Sequence, residues 1–265
     1  MKVRKRLRKL ADLPTHLLTA PNELVVVFVH IPKCGGTTIS DIAFRNYNSW
    51  RVLEMIVSGR RALDGSALSF ESEDAPDNLK ISEKLAGPFR KVVCILGHVP
   101  YGVHQLLDRN CFYFTFLRNP VDRVWSQFNH LLNNPNHYLY PIAAKHGFNL
   151  AKILNSSEIF EFCNDQARML LGTKNIDMGP DDIERAIEQA ERRYGYIGTI
   201  ERFGTCLHEL GAILNWKLLD YQKRNVGVYR RVPNVPGKEL IEIIKKKNQV
   251  DIALYEHVVR RLQGN

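Results

Sequence analysis

A glycine-rich segment near the amino terminus contains the residue types of an anion-binding site. Residues 30–38 read HIPKCGGTT and stand between a short apolar run and a helical pattern. Two adjacent glycines let the backbone turn tightly, and the N–H groups at a helix start favour a negative charge. Lys33 adds a full positive charge, while the hydroxyls of Thr37 and Thr38 either donate to an anion or cap the helix. The segment therefore predicts a phosphate or sulfate site, with a purely structural glycine turn as the alternative.

The order of these residues differs from that of the nucleotide-hydrolysing P-loop, GxxxxGK(S/T). In that motif the lysine follows the last glycine and stands beside a hydroxyl that holds magnesium. Lys33 instead precedes both glycines. A P-loop kinase-like phosphotransferase is for this reason the less favoured enzyme, and no carboxylate that would hold magnesium is recognisable.

A second group of polar residues follows another apolar run, at residues 116–126 (FLRNPVDRVWS). Arg118 has a planar guanidinium suited to phosphate, and Ser126 falls about two turns into a helix that Asn119 and Pro120 begin. Taken alone, Arg118 would be a surface ion-pair residue and Ser126 a helix residue bonded to its own backbone. Their spacing, after the first loop, favours a second anion site.

Buried strands must position both motifs. Four runs rich in apolar and β-branched residues predict strands covered on both faces. They are residues 23–30, 91–97 and 111–117, and a less apolar run at 194–199. Helical patterns occupy residues 37–47, 120–132, 157–171, 181–193, 201–214 and 238–262. This alternation predicts an α/β fold, a single P-loop-like domain over residues 1–265 with a central parallel sheet flanked by helices.

Together the two motifs resemble the donor-binding residues of PAPS-dependent sulfotransferases, in particular the carbohydrate branch that includes heparan sulfate 2-O-sulfotransferase. PAPS is 3′-phosphoadenosine 5′-phosphosulfate, and the family's loop typically reads Pro-Lys, then a small residue, Gly, a small residue and Thr. The resemblance extends from about residue 23 to residue 262. It implies a sulfotransferase that uses PAPS as donor, releases PAP as product and needs no metal.

The resemblance also implies which residues bind the donor. The 5′-phosphosulfate site is expected at Lys33, Cys34, Gly35, Gly36, Thr37 and Thr38. The 3′-phosphate is expected to contact Arg118 and Ser126, and also Arg230 and Arg231 in the loop at residues 225–233. Threonine is the usual family residue at the position of Cys34. Because cysteine has a similar size, we expect binding to survive and the thiol to be a packing group rather than a reactive one.

Sulfuryl transfer requires a general base, because the acceptor hydroxyl loses its proton as it attacks. His98 follows the second predicted strand in the sequence GHV. This is similar to the Gly-His-Val of heparan sulfate 2-O-sulfotransferase, in which the His is the base and a second His lies two residues earlier, where this chain has Leu96. The resemblance therefore implies that His98 is the catalytic base, with Lys33 stabilising charge on the departing phosphate.

The resemblance to the carbohydrate branch implies that the acceptor is a hydroxyl on a carbohydrate or glycoconjugate. His104 is the alternative base, His130 and His137 are candidates to face the acceptor, and His30 is expected to pack against the loop or orient it. The polar segment at residues 59–87 is expected to form a surface excursion that could border the cleft.

The composition is that of an ordinary globular protein, with 45% hydrophobic and 25% charged residues in a chain of 265. Lys plus Arg number 37 against 28 Asp plus Glu, a net charge of +9 that indicates an anionic partner. A non-catalytic binder of anions or of nucleic acid is the alternative from another class. No RNA- or DNA-binding motif is present, so no nucleic-acid partner is expected.

The remaining sequence features concern location and cysteine chemistry. No stretch approaches the roughly 18 apolar residues of a membrane span, and the basic start lacks the apolar region of a secretory signal. We expect a cytoplasmic protein in which residues 1–22 are peripheral, either solvated or touching an acidic membrane surface. Five cysteines without a CxxC pair predict neither a disulfide framework nor a zinc site.

Overall fold

The computed structural model of the chain describes residues 24–47, 51–55, 93–107, 109–156, 158–173, 175–221 and 235–264. The predicted donor residues from Lys33 to Ser126 and the candidate base His98 lie within these ranges. The basic segment at residues 1–22, the polar segment at 59–87, and Arg230 and Arg231 lie outside the described residues.

A five-stranded parallel sheet forms the centre of the fold. Its strands are β1 (Val25–Val29), β2 (Val52–Met55), β3 (Cys94–Gly97), β4 (Cys111–Leu117) and β5 (Tyr194–Thr199). They lie in the order β2-β3-β1-β4-β5, and every neighbouring pair is parallel. β1 is central and buried along its whole length, as expected of a continuous apolar run. The predicted α/β fold with a parallel sheet is confirmed.

Helices flank this sheet. Within the described ranges they are α1 (Gly36–Asn46), α2 (Pro120–Leu132), α3 (Tyr140–Lys145), α4 (Leu150–Asn155), α5 (Asp165–Leu171), α6 (Asp181–Arg193), α7 (Phe203–Leu214), α8 (Lys238–Lys247) and α9 (Gln249–Gln263). α2 begins as predicted, because the Asn119 side chain accepts from the N–H of Val121 at 3.0 Å and Pro120 stands at the first helical position. Among the described helices, none has the length and apolar character of a membrane span.

Two helices that the sequence predicts as continuous are interrupted. The pattern at residues 157–171 becomes a 3₁₀ turn (Phe160–Phe162) followed by α5, and the pattern at residues 238–262 divides into α8 and α9. Asn164 and Asn248 stand at the two breaks. The Asn164 side chain accepts from the backbone N–H groups of Val250 and Asp251, and the Asn248 side chain accepts from the N–H of Asn164. Each break therefore supplies hydrogen-bond acceptors to the other.

Within the described residues, one short strand and two short α-helices were not predicted. β2 has four residues at the edge of the sheet, and α3 and α4 have six residues each. Segments of this length contain too few residues to establish a hydrophobic period.

The sheet register brings the sequence motifs to one edge. Val29 at the end of β1 stands opposite Gly97 at the end of β3, and Phe28 stands opposite Phe114 in β4. Because all these strands run in the same direction, the segments that begin at His30, His98 and Arg118 leave the sheet at its carboxyl edge, the usual ligand side of such folds.

Candidate functional site

The loop between β1 and α1 contains two residues in the left-handed backbone region. Lys33 has a φ of 67° and Gly35 a φ of 74°. For a lysine this conformation costs about 1–2 kcal/mol, whereas glycine adopts it freely. The guanidinium of Arg118 donates to the carbonyl oxygen of Lys33 at 3.2 Å. Arg118 thus holds the first motif in place and joins it to the second.

Lys33 and Arg118 place two positive charges beside the start of α1. Burial and the nearby charge of Arg118 both lower the pKa of Lys33. Within the described part of the chain, neither side chain forms an ion pair with a carboxylate. α1 begins at Gly36 without a side-chain cap, so its first N–H groups add partial positive charge. These donors fit an anion, because a negative group between them would relieve the repulsion that lowers the pKa of Lys33.

Gln166 in α5 forms hydrogen bonds with both motifs. Its side-chain oxygen accepts from the backbone N–H of Arg118 at 2.9 Å, and its side-chain nitrogen donates to the Arg118 carbonyl oxygen at 3.0 Å. The same oxygen accepts from the thiol of Cys34 at 3.6 Å. Gln166 is fully buried. Sequence reasoning missed this residue, because nothing in the helical pattern around it indicates a contact with a loop 132 residues away.

Cys34 is a packing residue of the loop. Its side chain is 1% exposed. Burial raises the pKa of the thiol to about 12, so it is protonated at neutral pH and a poor nucleophile. This environment agrees with the expected role of Cys34 in packing.

His98 and His30 leave the sheet side by side, because they directly follow the register partners Gly97 and Val29. The two imidazole rings stack with their centroids 4.1 Å apart. Nδ1 of His98 lies 2.8 Å from the carbonyl oxygen of His30. Because a carbonyl oxygen can only accept, Nδ1 carries the proton and Nε2 of the neutral ring carries the lone pair. This is the tautomer in which Nε2 can accept a proton.

Leu96, two residues before His98, is buried within β3 opposite Phe28 of β1. No imidazole is therefore available at that position, and the ring that contacts His98 comes from the neighbouring strand instead.

The three other histidines that the sequence analysis singled out lie in two places. His104 lies in the 3₁₀ turn Val103–Leu106, where its Nδ1 lies 2.9 Å from the Tyr113 hydroxyl. Burial and the charge of Arg193 lower the pKa of His104. Since Arg193 immediately precedes β5, His104 lies toward the amino end of the sheet, away from the Lys33 loop.

His130 and His137 lie on the loop side of the molecule. Their rings are perpendicular, with centroids 5.7 Å apart. Burial of part of each ring and the positive charge of Lys33 lower the pKa of both histidines. The backbone N–H of Leu139 donates to Nδ1 of His137 at 3.2 Å, so the proton of the neutral His137 ring is on Nε2.

Ser126 lies in α2 and is partly buried. Within the described residues, no hydrogen bond to its hydroxyl is found. The structure therefore brings Lys33, Arg118 and the start of α1 together directly, and it places Ser126 on the helix that follows Arg118.

The sequence of the chain matches a model of the sulfotransferase family over residues 15–170, which is more than half of the chain and includes Lys33, His98 and Arg118. The chain belongs to the sulfotransferase family. Among solved structures, this sulfotransferase is similar to mouse sulfotransferase SULT7A1 complexed with PAP, with 15% identity and a TM-score of 0.37. The alignment covers 89% of this chain and 71% of the mouse protein. No curated protein matches the sequence.

Proposed function

We propose that this sulfotransferase moves the sulfuryl group of PAPS to a hydroxyl of a carbohydrate or glycoconjugate acceptor. One observation carries the proposal. Lys33 and Arg118 are held together at the uncapped start of α1, in direct contact through the Lys33 carbonyl and, in the described part of the chain, without an ion-paired carboxylate. A donor with a phosphosulfate at one end and a second phosphate at the other would neutralise both charges.

In this proposal the loop binds the 5′-phosphosulfate. Lys33 supplies the charge, Gly35 and Gly36 supply backbone N–H groups, and Thr37 and Thr38 offer hydroxyls at the helix start. Cys34 contributes its volume rather than its thiol. Arg118 and Ser126 bind the 3′-phosphate, and Arg230 and Arg231 remain proposed as additional phosphate contacts.

His98 is proposed as the general base. The acceptor oxygen forms a bond to sulfur while the bond between sulfur and the bridging phosphate oxygen breaks, and that electron pair leaves with PAP. The acceptor proton moves to Nε2 of His98, which the contact between Nδ1 and the His30 carbonyl leaves as the basic nitrogen. Lys33 stabilises the charge that develops on the departing phosphate.

The acceptor is proposed to bind near His130, His137 and Tyr138. Tyr138 is 45% exposed, and its ring stacks on His137 with centroids 4.7 Å apart. An exposed, oriented aromatic ring beside two imidazoles can stack on a sugar ring and hydrogen-bond its hydroxyls. This supports a carbohydrate acceptor.

Calorimetry with PAP tests the donor site. We expect saturable binding, and the absence of detectable binding at millimolar PAP would overturn the proposal. A larger rise in melting temperature with ATP and magnesium than with PAP would favour a kinase instead.

Turnover of labelled PAPS against a panel of sugar and non-sugar hydroxyl acceptors tests the chemistry. His98→Ala is expected to lose about 10²- to 10⁴-fold in turnover, the usual contribution of a general base, and to keep its PAP affinity. His208→Ala, an exposed histidine of α7, is the matched control and should retain full turnover. Unchanged turnover in His98→Ala would assign the base elsewhere.

A further inference from the structure

A column of four stacked rings runs from the core of the sheet to its carboxyl edge. Phe114 and Phe28 are register partners on β4 and β1, and their ring centroids are 4.9 Å apart. Phe28 stacks on His30, two residues later on the same face, at 5.4 Å and with planes 11° apart. His30 then stacks on His98 at 4.1 Å. The column therefore ends on the ring of the proposed base.

His30 also contacts the donor loop. A Cβ added at Gly36 would overlap the imidazole of His30, and the nearest atom would be Nε2. The missing side chain of Gly36 therefore provides the space in which the ring lies. Gly36 is the first residue of α1, so a single imidazole touches the uncapped start of the helix on one side and His98 on the other.

We propose that His30 is a positioning residue for sulfuryl transfer, which sets the orientation of the His98 ring and relates it to the donor loop. This inference rests on the proposed function, because it takes His98 as the base. The Phe28 ring is fully buried and fixes the inner face of His30. The outer face of His30 then limits how far the His98 ring can tilt.

Residue 30 makes two separate contacts with His98. The His30 carbonyl oxygen determines the tautomer and is part of the backbone, so it is retained when the side chain at residue 30 is replaced. The His30 ring determines the tilt, and only an aromatic replacement keeps that contact. The side chain at residue 30 can therefore be tested without removing the hydrogen bond to Nδ1.

The primary experiment compares His30→Ala with His30→Phe in turnover and in PAP calorimetry. We expect His30→Ala to lose about 10- to 100-fold in kcat, the size of effect that a misplaced reacting group produces, with unchanged KM for the acceptor. His30→Phe restores a flat ring between Phe28 and His98 and should recover most of that loss. His208→Ala controls for removal of a histidine, and melting temperatures identify any variant that fails to fold.

A second variant tests the contact with Gly36. Gly36→Ala should lower kcat, because its methyl group displaces the His30 ring. In a His30→Ala background the same methyl group meets an empty space, so the double variant should have the kcat of His30→Ala alone. Losses that multiply would show that Gly36 acts on the donor directly and not through His30.

The outcomes separate this inference from the proposed function. Unchanged turnover in His98→Ala would remove the proposed base. Loss of turnover in His98→Ala, together with wild-type kcat in a folded His30→Ala, would leave the base in place and overturn the positioning role. Equal losses in His30→Ala and His30→Phe would also overturn it, because the stacked ring would then be irrelevant.

Discussion

The carboxyl edge of the sheet and the junction of α5 with α9 contain similar residue types in opposite arrangements. We use "the junction" for Arg123, Asn164, Asp165, Asn248 and Asp251, and "the loop edge" for His30, Lys33, His98 and Arg118.

Guanidinium and carboxylate groups are buried together at the junction. At the loop edge, the Lys33 ammonium and the Arg118 guanidinium lie near one another, and Lys33 has a lowered pKa.

Groups of the junction bind one another. Arg123 is fully buried and donates to Asp165 at 3.3 Å, and Asp165 also accepts from Arg168 at 2.8 Å. Asp251 accepts from the N–H groups of Gln166 at 3.2 Å and Ala167 at 2.7 Å, which are at the start of α5. The polar groups of the junction therefore stabilise the fold and leave little for a ligand to add.

Within the residues that the structure describes, Lys33 and Arg118 at the loop edge form no ion pair with a carboxylate, whereas Arg123 of the junction does. α5 receives a carboxylate at its first turn from Asp251, whereas α1 has no side-chain cap. The difference indicates that a charged residue is a candidate for ligand binding where the described fold supplies no opposite charge, and a structural residue where it does.

The largest expected effect of a substitution is at the junction. Arg123→Met keeps most of the side-chain volume but removes the buried partner of Asp165, so the free energy of unfolding should fall by about 3–5 kcal/mol. Urea unfolding measures this change. Arg192→Met is the matched control, because Arg192 is 74% exposed and pairs with Glu188 on the surface of α6, where a loss of about 0.3–0.5 kcal/mol is expected. Equal losses in the two variants would contradict the structural role of the junction.

The second largest effect is at the loop edge and concerns the binding of PAP. Lys33→Met removes a charged donor, and a loss of about 1.5–3 kcal/mol corresponds to a rise of about 10- to 150-fold in the Kd for PAP. Lys145→Met is the control, because Lys145 is exposed and pairs with Glu158 at 2.8 Å. It should bind PAP like the wild type.

The Lys33→Met substitution should weaken the binding of PAP without lowering the stability of the fold at neutral pH. The folded-state pKa of Lys33 is lowered, so its protonated form opposes folding at neutral pH. That cost diminishes as the pH rises from the folded-state pKa toward the ordinary lysine value. Lys33→Met should therefore unfold at a urea concentration equal to or above that of the wild type at neutral pH, and this advantage should disappear at alkaline pH. A clear loss of stability at neutral pH would show that Lys33 has a favourable partner.

The sequence predicted the loop edge better than the junction. β4, α2 and α6 have the predicted bounds, because their apolar patterns and first-turn residues are local signals. Residues that follow parallel strands must emerge at one edge, so the meeting of Lys33 with Arg118 was also predictable.

The junction depends on partners that a local pattern cannot reveal. Asn164 and Asn248 stand where two apparently continuous helices are interrupted. The backbone N–H of Asn164 donates to the side-chain oxygen of Asn248, which is 84 residues away in the sequence. Gln166 is a further example, since its role is defined by contacts with Cys34 and Arg118 and not by its neighbours in α5.

The smallest expected effect is a shift in the titration of His130. Partial burial of its ring, the charge of Lys33 and the presence of His137 lower its pKa, in that order of importance. In Lys33→Met, nuclear magnetic resonance should show the pKa of His130 rising while remaining below the ordinary histidine value, because the burial is unchanged. The pKa of His137 should rise as well.

His104 provides the internal reference for this titration. Its lowered pKa arises from burial and from Arg193, not from Lys33, so Lys33→Met should leave it unchanged. If His130 did not respond, Lys33 would not face the two histidines, and the acceptor would have to be placed elsewhere. If only His130 and His137 respond, the charge of Lys33 acts on the proposed acceptor site. The lowered pKa values of both histidines then mean that their imidazoles are neutral hydrogen-bonding groups at physiological pH.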